Sequence, residues 1–228
     1  MTRALLFDID QTLLYTGGAG VLAFNIAFEQ MFGINDGLPA TSNVSGRTDL
    51  FILAESLKHN GIEGAVEAHL DDFLNRYYAQ LPKALREKDG YLMPGFPQLL
   101  EALSGRDGVR VGLGTGNFSE AARIKLEHYG IWQYFSGGGF GEQSLERADV
   151  IRAAIESVAD GIAPEDILVI GDTPKDVTAA LDNGVLAVGV ATGSYSTGQL
   201  LESGAQLVFE DFSDWQAAGA VLAGLATA

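Results

Sequence analysis

Three short clusters of polar residues in the sequence each directly follow an apolar segment. They read Asp-Ile-Asp-Gln-Thr at positions 8–12, Thr-Gly-Asn at 115–117 and Gly-Asp-Thr-Pro-Lys-Asp at 171–176. The four acids in these clusters would repel one another strongly unless a positive charge lay between them. Oxygen ligands without His or Cys suit Mg²⁺ rather than Zn²⁺, and Mg²⁺ prefers a substrate phosphate as co-ligand. The clusters therefore indicate a Mg²⁺ site for phosphoryl chemistry.

Asp8 and Asp10 are two carboxylates that can take different roles in phosphoryl transfer. Two residues apart, they would share one face of an extended strand, but a turn after the strand can direct them to separate roles. One carboxylate can attack phosphorus while the other protonates the leaving oxygen and later activates water.

The apolar segments before the clusters predict a parallel sheet. The predicted strands cover residues 5–7, 109–114, 137–140, 167–170, 186–190 and 206–209. The predicted helices among them cover residues 118–129, 147–158 and 174–182, and a last helix that frays is predicted over 217–228. Continuous apolar runs separated by helices are typical of βαβ units, and ligands bind at the C-terminal ends of such strands. All three polar clusters are thus expected at one edge of the sheet.

A different pattern lies between the first strand and the rest. Apolar residues recur at helical spacing over 21–32, 50–60 and 66–80, with no convincing strand. Glycines at positions 17 and 18, and again from 90 to 95, mark two hinge regions. We therefore predict an α/β protein with a Rossmann-like parallel-sheet core, residues 1–14 and 92–228, and an inserted helical cap domain, residues 15–91.

Net charge, cysteine content and the length of the apolar runs limit which partners and which cellular location we expect. The 228 residues include 14 Lys and Arg against 30 Asp and Glu, a net charge of −16, which argues against nucleic acid or an anionic membrane surface. The sequence contains no Cys, which excludes disulfides and thiol nucleophiles and fits a reducing compartment. No apolar run reaches the roughly 18 residues of a membrane span. We expect a cytoplasmic monomer or homodimer that acts on a small molecule.

In their order and strand contexts, the three clusters resemble those of the haloacid dehalogenase superfamily, in its phosphatase branch. The helical insertion directly after the first cluster is similar to the type-I cap of phosphoglycolate phosphatases and β-phosphoglucomutases. The resemblance covers essentially the whole chain. It implies a Mg²⁺-dependent phosphatase that hydrolyses a small-molecule phosphomonoester, a phosphate ester, through an aspartyl-phosphate.

The resemblance also implies roles for the four acids. Asp8 would be the nucleophile that forms the aspartyl-phosphate. Asp10 would be the general acid and base, with its backbone carbonyl also on Mg²⁺. Asp172 would be a metal ligand, and Asp176 either a second acid on the metal or the partner of the site's cation. The implied metal set is Asp8, Asp10, Asp172 and Asp176.

Other residues are implied around the phosphate. Those expected to bind phosphate oxygens or to shape the first loop are Thr12, Thr115, Gly116 and Asn117. The family usually carries a lysine between the second and third clusters, but this chain has none between Lys125 and Lys175. Arg147 occupies about that place, and an arginine can neutralise the nucleophile and hold phosphate bidentately. Arg47, in the insertion, is expected to contact the substrate.

Other activities are weighed against the phosphatase. A dehalogenase would need the nucleophile but would have no use for Asp10 and Asp172. A phosphonate hydrolase would need a cap lysine, for which Lys58 is a candidate with nothing else to recommend it. A phosphomutase of the β-phosphoglucomutase type stays open, because it differs mainly in keeping the phosphoryl group from water. A non-catalytic phospho-acceptor is the alternative from another class, although receiver domains are shorter and lack the insertion.

Overall fold

A parallel sheet forms the centre of the protein, whose computed structural model describes residues 2–38, 44–142 and 144–224. The strands in the described part are β1 (Arg3–Phe7), β2 (Leu14–Tyr15), β3 (Tyr91–Leu92), β4 (Val109–Gly114), β5 (Gly138–Gly139), β6 (Ile167–Gly171), β7 (Leu186–Val190) and β8 (Leu207–Phe209). Six of them form the sheet, in the order β5-β4-β1-β6-β7-β8, and every pair of neighbours is parallel. This arrangement confirms the predicted α/β fold class.

Helices cover both faces of the sheet. Those outside the insertion are α4 (Gln98–Ser104), α5 (Ser119–His128), α6 (Arg147–Val158), α7 (Pro174–Asp182), α8 (Thr197–Glu202) and α9 (Trp215–Leu222). Because side chains alternate along a strand, Leu5 and Phe7 of β1 belong to one buried cluster, with α4, α5 and α9. Leu6 belongs to the other, with α6, α7 and α8. Burial on both faces explains the continuous apolar runs in the sequence.

The strand order decides where the polar clusters meet. Phe7 at the end of β1 pairs with Leu113 of β4 on one side and with Ile170 of β6 on the other. The first cluster is therefore flanked by the second and the third at the C-terminal edge of the sheet. This central position of β1 brings together residues that are more than 100 positions apart in the chain.

The described part of the insertion contains three helices, α1 (Ala19–Phe32), α2 (Asp49–His59) and α3 (Glu67–Glu87). Their apolar faces form a third buried cluster, which also takes in Phe118 and Ala121 next to the sheet. Helix α3 extends beyond the predicted end at 80, because Leu81, Ala84 and Leu85 continue its buried face past Pro82. The division into domains stays a prediction.

Two short strands that the sequence analysis did not predict lie at the two ends of the insertion. Leu14 pairs with Leu92 and Tyr15 with Tyr91, which makes β2 and β3 a small antiparallel ribbon at its base. Strands of two residues are too short to show a period-two pattern, so the sequence carries no sign of them. Beside the ribbon, Gly17 has a φ of 64°, and a Cβ there would lie 2.7 Å from the carbonyl oxygen of Asp89. The chain therefore requires glycine at this turn.

At the end of the chain, the predicted helix over 217–228 corresponds to α9, which begins two residues earlier, at Trp215. Helix α9 ends at Leu222, and residues 225–228 lie outside the described part. Among the described helices, none combines the length and apolar character that a membrane crossing needs.

Candidate active site

Asp8, Thr115 and Asp172 directly follow β1, β4 and β6 and lie together at the edge where these strands end. All three are buried. A cavity of about 300 Å³ separates this edge from the inserted helices. Its polar lining includes Asp8, Asp10, Arg47, Asp49, Gly116, Asn117, Lys125, Arg147 and Asp172, and its apolar lining includes Val21, Phe24, Leu38 and Ile52. The cavity lining thus combines charged groups of the core and the insertion with apolar side chains of the insertion.

The turn after β1 separates the two acids of the first cluster. Gln11 has a φ of 63°, in the left-handed region, and its N–H donates to the carbonyl of Leu14 at 2.8 Å. The Asp8 carboxylate contacts Arg147, whereas the Asp10 carboxylate contacts Lys125. The turn therefore directs the two carboxylates to different partners.

Three acids form a cluster that fits a hard divalent cation. One carboxylate oxygen from each of Asp8, Asp172 and Asp176 lies within 4.8 Å of the other two. Burial, reinforced by the negative charges of Asp176 and Asp8, raises the pKa of Asp172 to about 9. Burial also raises the pKa of Asp8 to about 6, although Arg147 opposes this shift. Buried oxygen donors that repel one another are the donor set that Mg²⁺ takes.

Arg147, at the start of α6, lies between two of these acids. Its Nη2 donates to Asp8 Oδ1 at 2.7 Å, to Asp176 Oδ1 at 2.6 Å and to the carbonyl of Gly114 at 2.8 Å. Only 7% of its side chain is exposed. The arginine thus supplies the positive charge beside Asp8 that the resemblance implied at this place in the chain.

Asp176 also holds the start of α7. Its Oδ2 accepts from the N–H of Thr173 at 3.1 Å and from Thr173 Oγ1 at 2.7 Å, and Thr173 Oγ1 accepts in turn from the N–H of Asp176. This is a capping box. Both carboxylate oxygens of Asp176 therefore accept hydrogen bonds from protein groups.

The second cluster packs tightly against the insertion. A Cβ at Gly116 would overlap the carbonyl oxygen of Arg47 and lie 3.1 Å from Arg147 Nη1, so the position requires glycine. Asn117 Nδ2 donates to Asp10 Oδ2 at 2.8 Å and to Thr115 Oγ1 at 2.9 Å. The side-chain amide of Asn117 is therefore engaged with protein groups rather than directed only at a substrate.

Thr12 and Arg47, two other residues predicted at the site, lie in the first turn and in the insertion. Thr12 is fully buried in the turn, and its hydroxyl has no hydrogen-bond partner among the described residues. The Arg47 guanidinium carbon lies 4.3 Å from the ring centre of Phe51, which is a cation–π contact. Arg47 lines the cavity, and its contact with a substrate stays a prediction.

Sequence reasoning missed Lys125. Its Nζ donates to Asp10 Oδ1 at 2.9 Å, to Asp10 Oδ2 at 2.7 Å and to Asn117 Oδ1 at 2.5 Å. Only 4% of the residue is exposed. A signal was present, because Lys125 lies on the buried face of α5 with Ala121, Ala122 and Leu126. A lysine on such a face needs a partner.

Sequence reasoning also missed Asp49, which joins the insertion to the core. Its N–H donates to the carbonyl of Gly116 at 2.7 Å, and its Oδ2 accepts from the N–H of Phe118 at 3.0 Å. Thr48, which precedes it, donates from Oγ1 to the carbonyl of Leu145. Burial raises the pKa of Asp49 to about 6. Lys58, in contrast, is 79% exposed and pairs with Glu55.

Comparisons with known proteins agree with this geometry. Similar proteins include a phosphoglycolate phosphatase from Rhodospirillum rubrum, 29% identical over 94% of this chain and 91% of its own length. The probable phosphatase IndB from Dickeya dadantii is 26% identical over 94% of this chain and 92% of its own. Among solved structures, CbbY from Rhodobacter sphaeroides in complex with phosphate has a TM-score of 0.76 at 21% identity, over 96% of this chain and 99% of its own, a likeness in fold. A family model described as haloacid dehalogenase-like hydrolase matches residues 5–181. The protein belongs to the haloacid dehalogenase-like hydrolases.

Proposed function

We propose that this hydrolase is a Mg²⁺-dependent phosphatase, which cleaves a small-molecule phosphomonoester through an aspartyl-phosphate on Asp8. The observation that carries the proposal is the contact of Arg147 with Asp8, inside a cluster of buried acids beside a cavity that Asp8 and Asp172 line. A carboxylate held by a guanidinium next to a cation site is well suited to attack an anionic phosphate.

Asp8 acts as the nucleophile. Arg147 holds its Oδ1, and the positive charge favours the ionised form against the effect of burial. In the first step a carboxylate oxygen forms a bond to phosphorus, and the bond from phosphorus to the leaving oxygen breaks. Arg147, fixed by Asp176 as well, keeps the carboxylate oriented for this attack.

Asp10 acts as the general acid and base. About 42% of its side chain is exposed, and it lines the cavity where the leaving group must lie. It gives a proton to the leaving oxygen in the first step. In the second step it takes a proton from the water that attacks phosphorus, and the acyl-phosphate bond breaks to restore Asp8.

The phosphate-binding groups come from the second cluster and the insertion. We assign the Thr115 hydroxyl and the Gly116 N–H to the phosphate oxygens, and Arg47 to the substrate from the opposite side of the cavity. Asp8, Asp172 and the backbone carbonyl of Asp10 would hold Mg²⁺, which would neutralise charge on the transferred phosphoryl group. We assign Asp176 to the alternative role of fixing Arg147, since both its oxygens are engaged.

Residues 15–91 form the cap domain in this proposal, and residues 1–14 and 92–228 form the core. The support is the apolar cluster that the inserted helices form, distinct from the two clusters on the faces of the sheet, and the left-handed glycines 17 and 18 at the base. A closed cap would keep bulk water from the aspartyl-phosphate while a single water is activated. The proposed setting is the cytoplasm, with the protein as a monomer or homodimer.

Hydrolysis of p-nitrophenyl phosphate tests this function. We expect turnover with Mg²⁺ that EDTA abolishes and that Asp8→Asn removes, whereas the exposed control Asp71→Asn, in α3, keeps wild-type activity. Release of one equivalent of p-nitrophenol without further turnover would instead indicate a phospho-acceptor. Transfer of the phosphoryl group to a sugar phosphate rather than to water would indicate a mutase. A panel of carboxylate and sugar phosphates would then define the substrate.

A further inference from the structure

Lys125 is a buried cation that the proposed mechanism does not use. An ammonium group has three hydrogen-bond donors. Those of Lys125 have three acceptors within 2.9 Å, namely both carboxylate oxygens of Asp10 and the side-chain oxygen of Asn117. The lysine is therefore committed to its neighbours rather than to the solvent.

Stability alone is a poor reason for a lysine at this position. Helix α5 buries Ala121, Ala122 and Leu126 beside it, so an apolar residue would suit the same face. Removing an ion from water is costly, and well-packed apolar residues often stabilise a protein as well as a buried ion pair does. The ammonium group is better explained by what it does to Asp10.

Asn117 completes the support of Asp10. Its Nδ2 donates to Asp10 Oδ2 at 2.8 Å, on the same carboxylate that Lys125 holds, and also to Thr115 Oγ1 at 2.9 Å. Three hydrogen bonds therefore fix the Asp10 carboxylate, two from Lys125 and one from Asn117. Asn117 therefore links Asp10 to Thr115, which follows β4. The proposed general acid and a proposed phosphate-binding residue are thus held by the same side-chain amide.

We propose that Lys125 is a positioning residue, which together with Asn117 fixes the Asp10 carboxylate at the oxygen of the leaving group. The inference rests on the proposed function and extends it to a residue outside the three sequence clusters. Lys125 acts through Asp10 and not on the phosphate. Since a general acid must lie within hydrogen-bond reach of its target, a displacement of about 1 Å can reduce the rate roughly 10²-fold.

The test compares two esters that differ in their need for an acid. An alkyl phosphate, such as glycerol phosphate, releases an alkoxide that must be protonated, whereas p-nitrophenolate leaves without a proton. The parameter kcat/KM reports the steps up to departure of the leaving group. We expect Lys125→Met to reduce kcat/KM roughly 10²-fold for the alkyl phosphate and much less for p-nitrophenyl phosphate. The control Lys58→Met removes a charge that is 79% exposed and should change neither value.

Two further variants make the test decisive. Lys125→Arg keeps the charge and should recover part of the activity on the alkyl phosphate. In an Asp10→Asn background, Lys125→Met should cause no further loss on that ester, because the group it positions is gone. If Lys125→Met does not fold, as judged by circular dichroism, Asn117→Ala carries the comparison and should show the same ester-selective loss.

An equal loss on both esters would overturn the inference and indicate that Lys125 binds the phosphate directly. A full further loss in the Asp10→Asn background would overturn it as well. The proposed function fails in a different way, with no turnover of either ester by the wild-type protein or with activity retained by Asp8→Asn. The two failures are therefore distinguishable.

Discussion

Replacing Asp172 by Asn tests whether the acid cluster is built around a cation. In EDTA, the wild-type protein must bury Asp172 beside Asp8 and Asp176, whose nearest oxygens lie within 4.8 Å. Burial and these charges raise the pKa of Asp172 from 3.8 to about 9. At pH 7 the unfolded chain leaves this group ionised, whereas the folded, metal-free protein favours the protonated form. Protonating Asp172 on folding costs about 1.4 kcal/mol for each pH unit between 3.8 and 7. At pH 7 this cost lowers the free energy of unfolding of the metal-free protein by up to about 4 kcal/mol.

Asn at position 172 has nearly the same shape and carries no such cost. We therefore expect Asp172→Asn to be more stable than the wild-type protein in EDTA, by about 2 to 4 kcal/mol. For a chain of this size that corresponds to a rise in Tm of roughly 5–15 °C. Since the raised pKa makes ionisation unfavourable, the gap should widen as the pH increases from 5 to 8.

Mg²⁺ should offset most of this difference in stability. At a concentration of about 100 times its Kd, an ion that binds only the folded state adds about 2.7 kcal/mol to the stability of the wild-type protein. Asp172→Asn lacks one ligand and should gain much less. Thermal unfolding followed by circular dichroism, in EDTA and in MgCl₂, measures both effects, with Asp71→Asn as a control for the same change in net charge on an exposed site. The reasoning is refuted if the variant is less stable than the wild type in EDTA, or if Mg²⁺ raises the Tm of both equally.

Three further predictions follow from contacts around the cavity. Arg147→Ala should reduce kcat/KM by at least roughly 10²-fold, whereas Lys175→Ala should change the kinetics little. Because Arg147→Ala leaves Asp8 and Asp176 buried without this partner, it should also lower the free energy of unfolding in urea by about 3 to 5 kcal/mol. Gly116→Ala should reduce kcat/KM at least about 10-fold, because its methyl group would overlap the Arg47 carbonyl and separate the insertion from the core. Because the pKa of Asp49 is raised to about 6 in the folded protein, its protonated form stabilises the fold at low pH. This stabilisation is lost as the pH rises through 6. Urea unfolding should show that the free energy of unfolding of the wild-type protein falls by about 1 kcal/mol relative to that of Asp49→Asn between pH 5 and pH 7.

The sequence was sufficient to predict the sheet and the acids at its edge. Each strand before a polar cluster is a continuous apolar run, and parallel strands align their C-terminal ends, so Asp8, Thr115 and Asp172 could be expected together without knowledge of the strand order. Arg147 could be identified because the resemblance implies a cation between the second and third clusters, and the apolar pattern places this arginine at the start of a helix over 147–158. The positions of the acids thus follow from local periodicity and a general property of one fold class, whereas the role of Arg147 depends on the resemblance.

The supporting residues could not be predicted in the same way. Lys125 is four residues from Ala121 on an amphipathic helix, and its partner Asp10 is 115 positions away. Asp49 begins α2 as acids often begin helices, and its contacts with Gly116 and Phe118 show that it joins the insertion to the core. The contacts of both residues depend on which surfaces pack together. The buried face of α5 indicates that Lys125 needs a partner, but no local pattern identifies that partner.

Trapping the phosphorylated enzyme tests the central claim most directly. Asp10→Asn should still be phosphorylated by p-nitrophenyl phosphate, since this leaving group needs no acid, but should hydrolyse the intermediate slowly. After an acid quench, peptide mapping by mass spectrometry should find the phosphoryl group on Asp8 in this variant, and on no residue when Asp8→Asn is added. A phosphoryl group on another residue, or continued turnover by Asp8→Asn, would contradict the proposed mechanism.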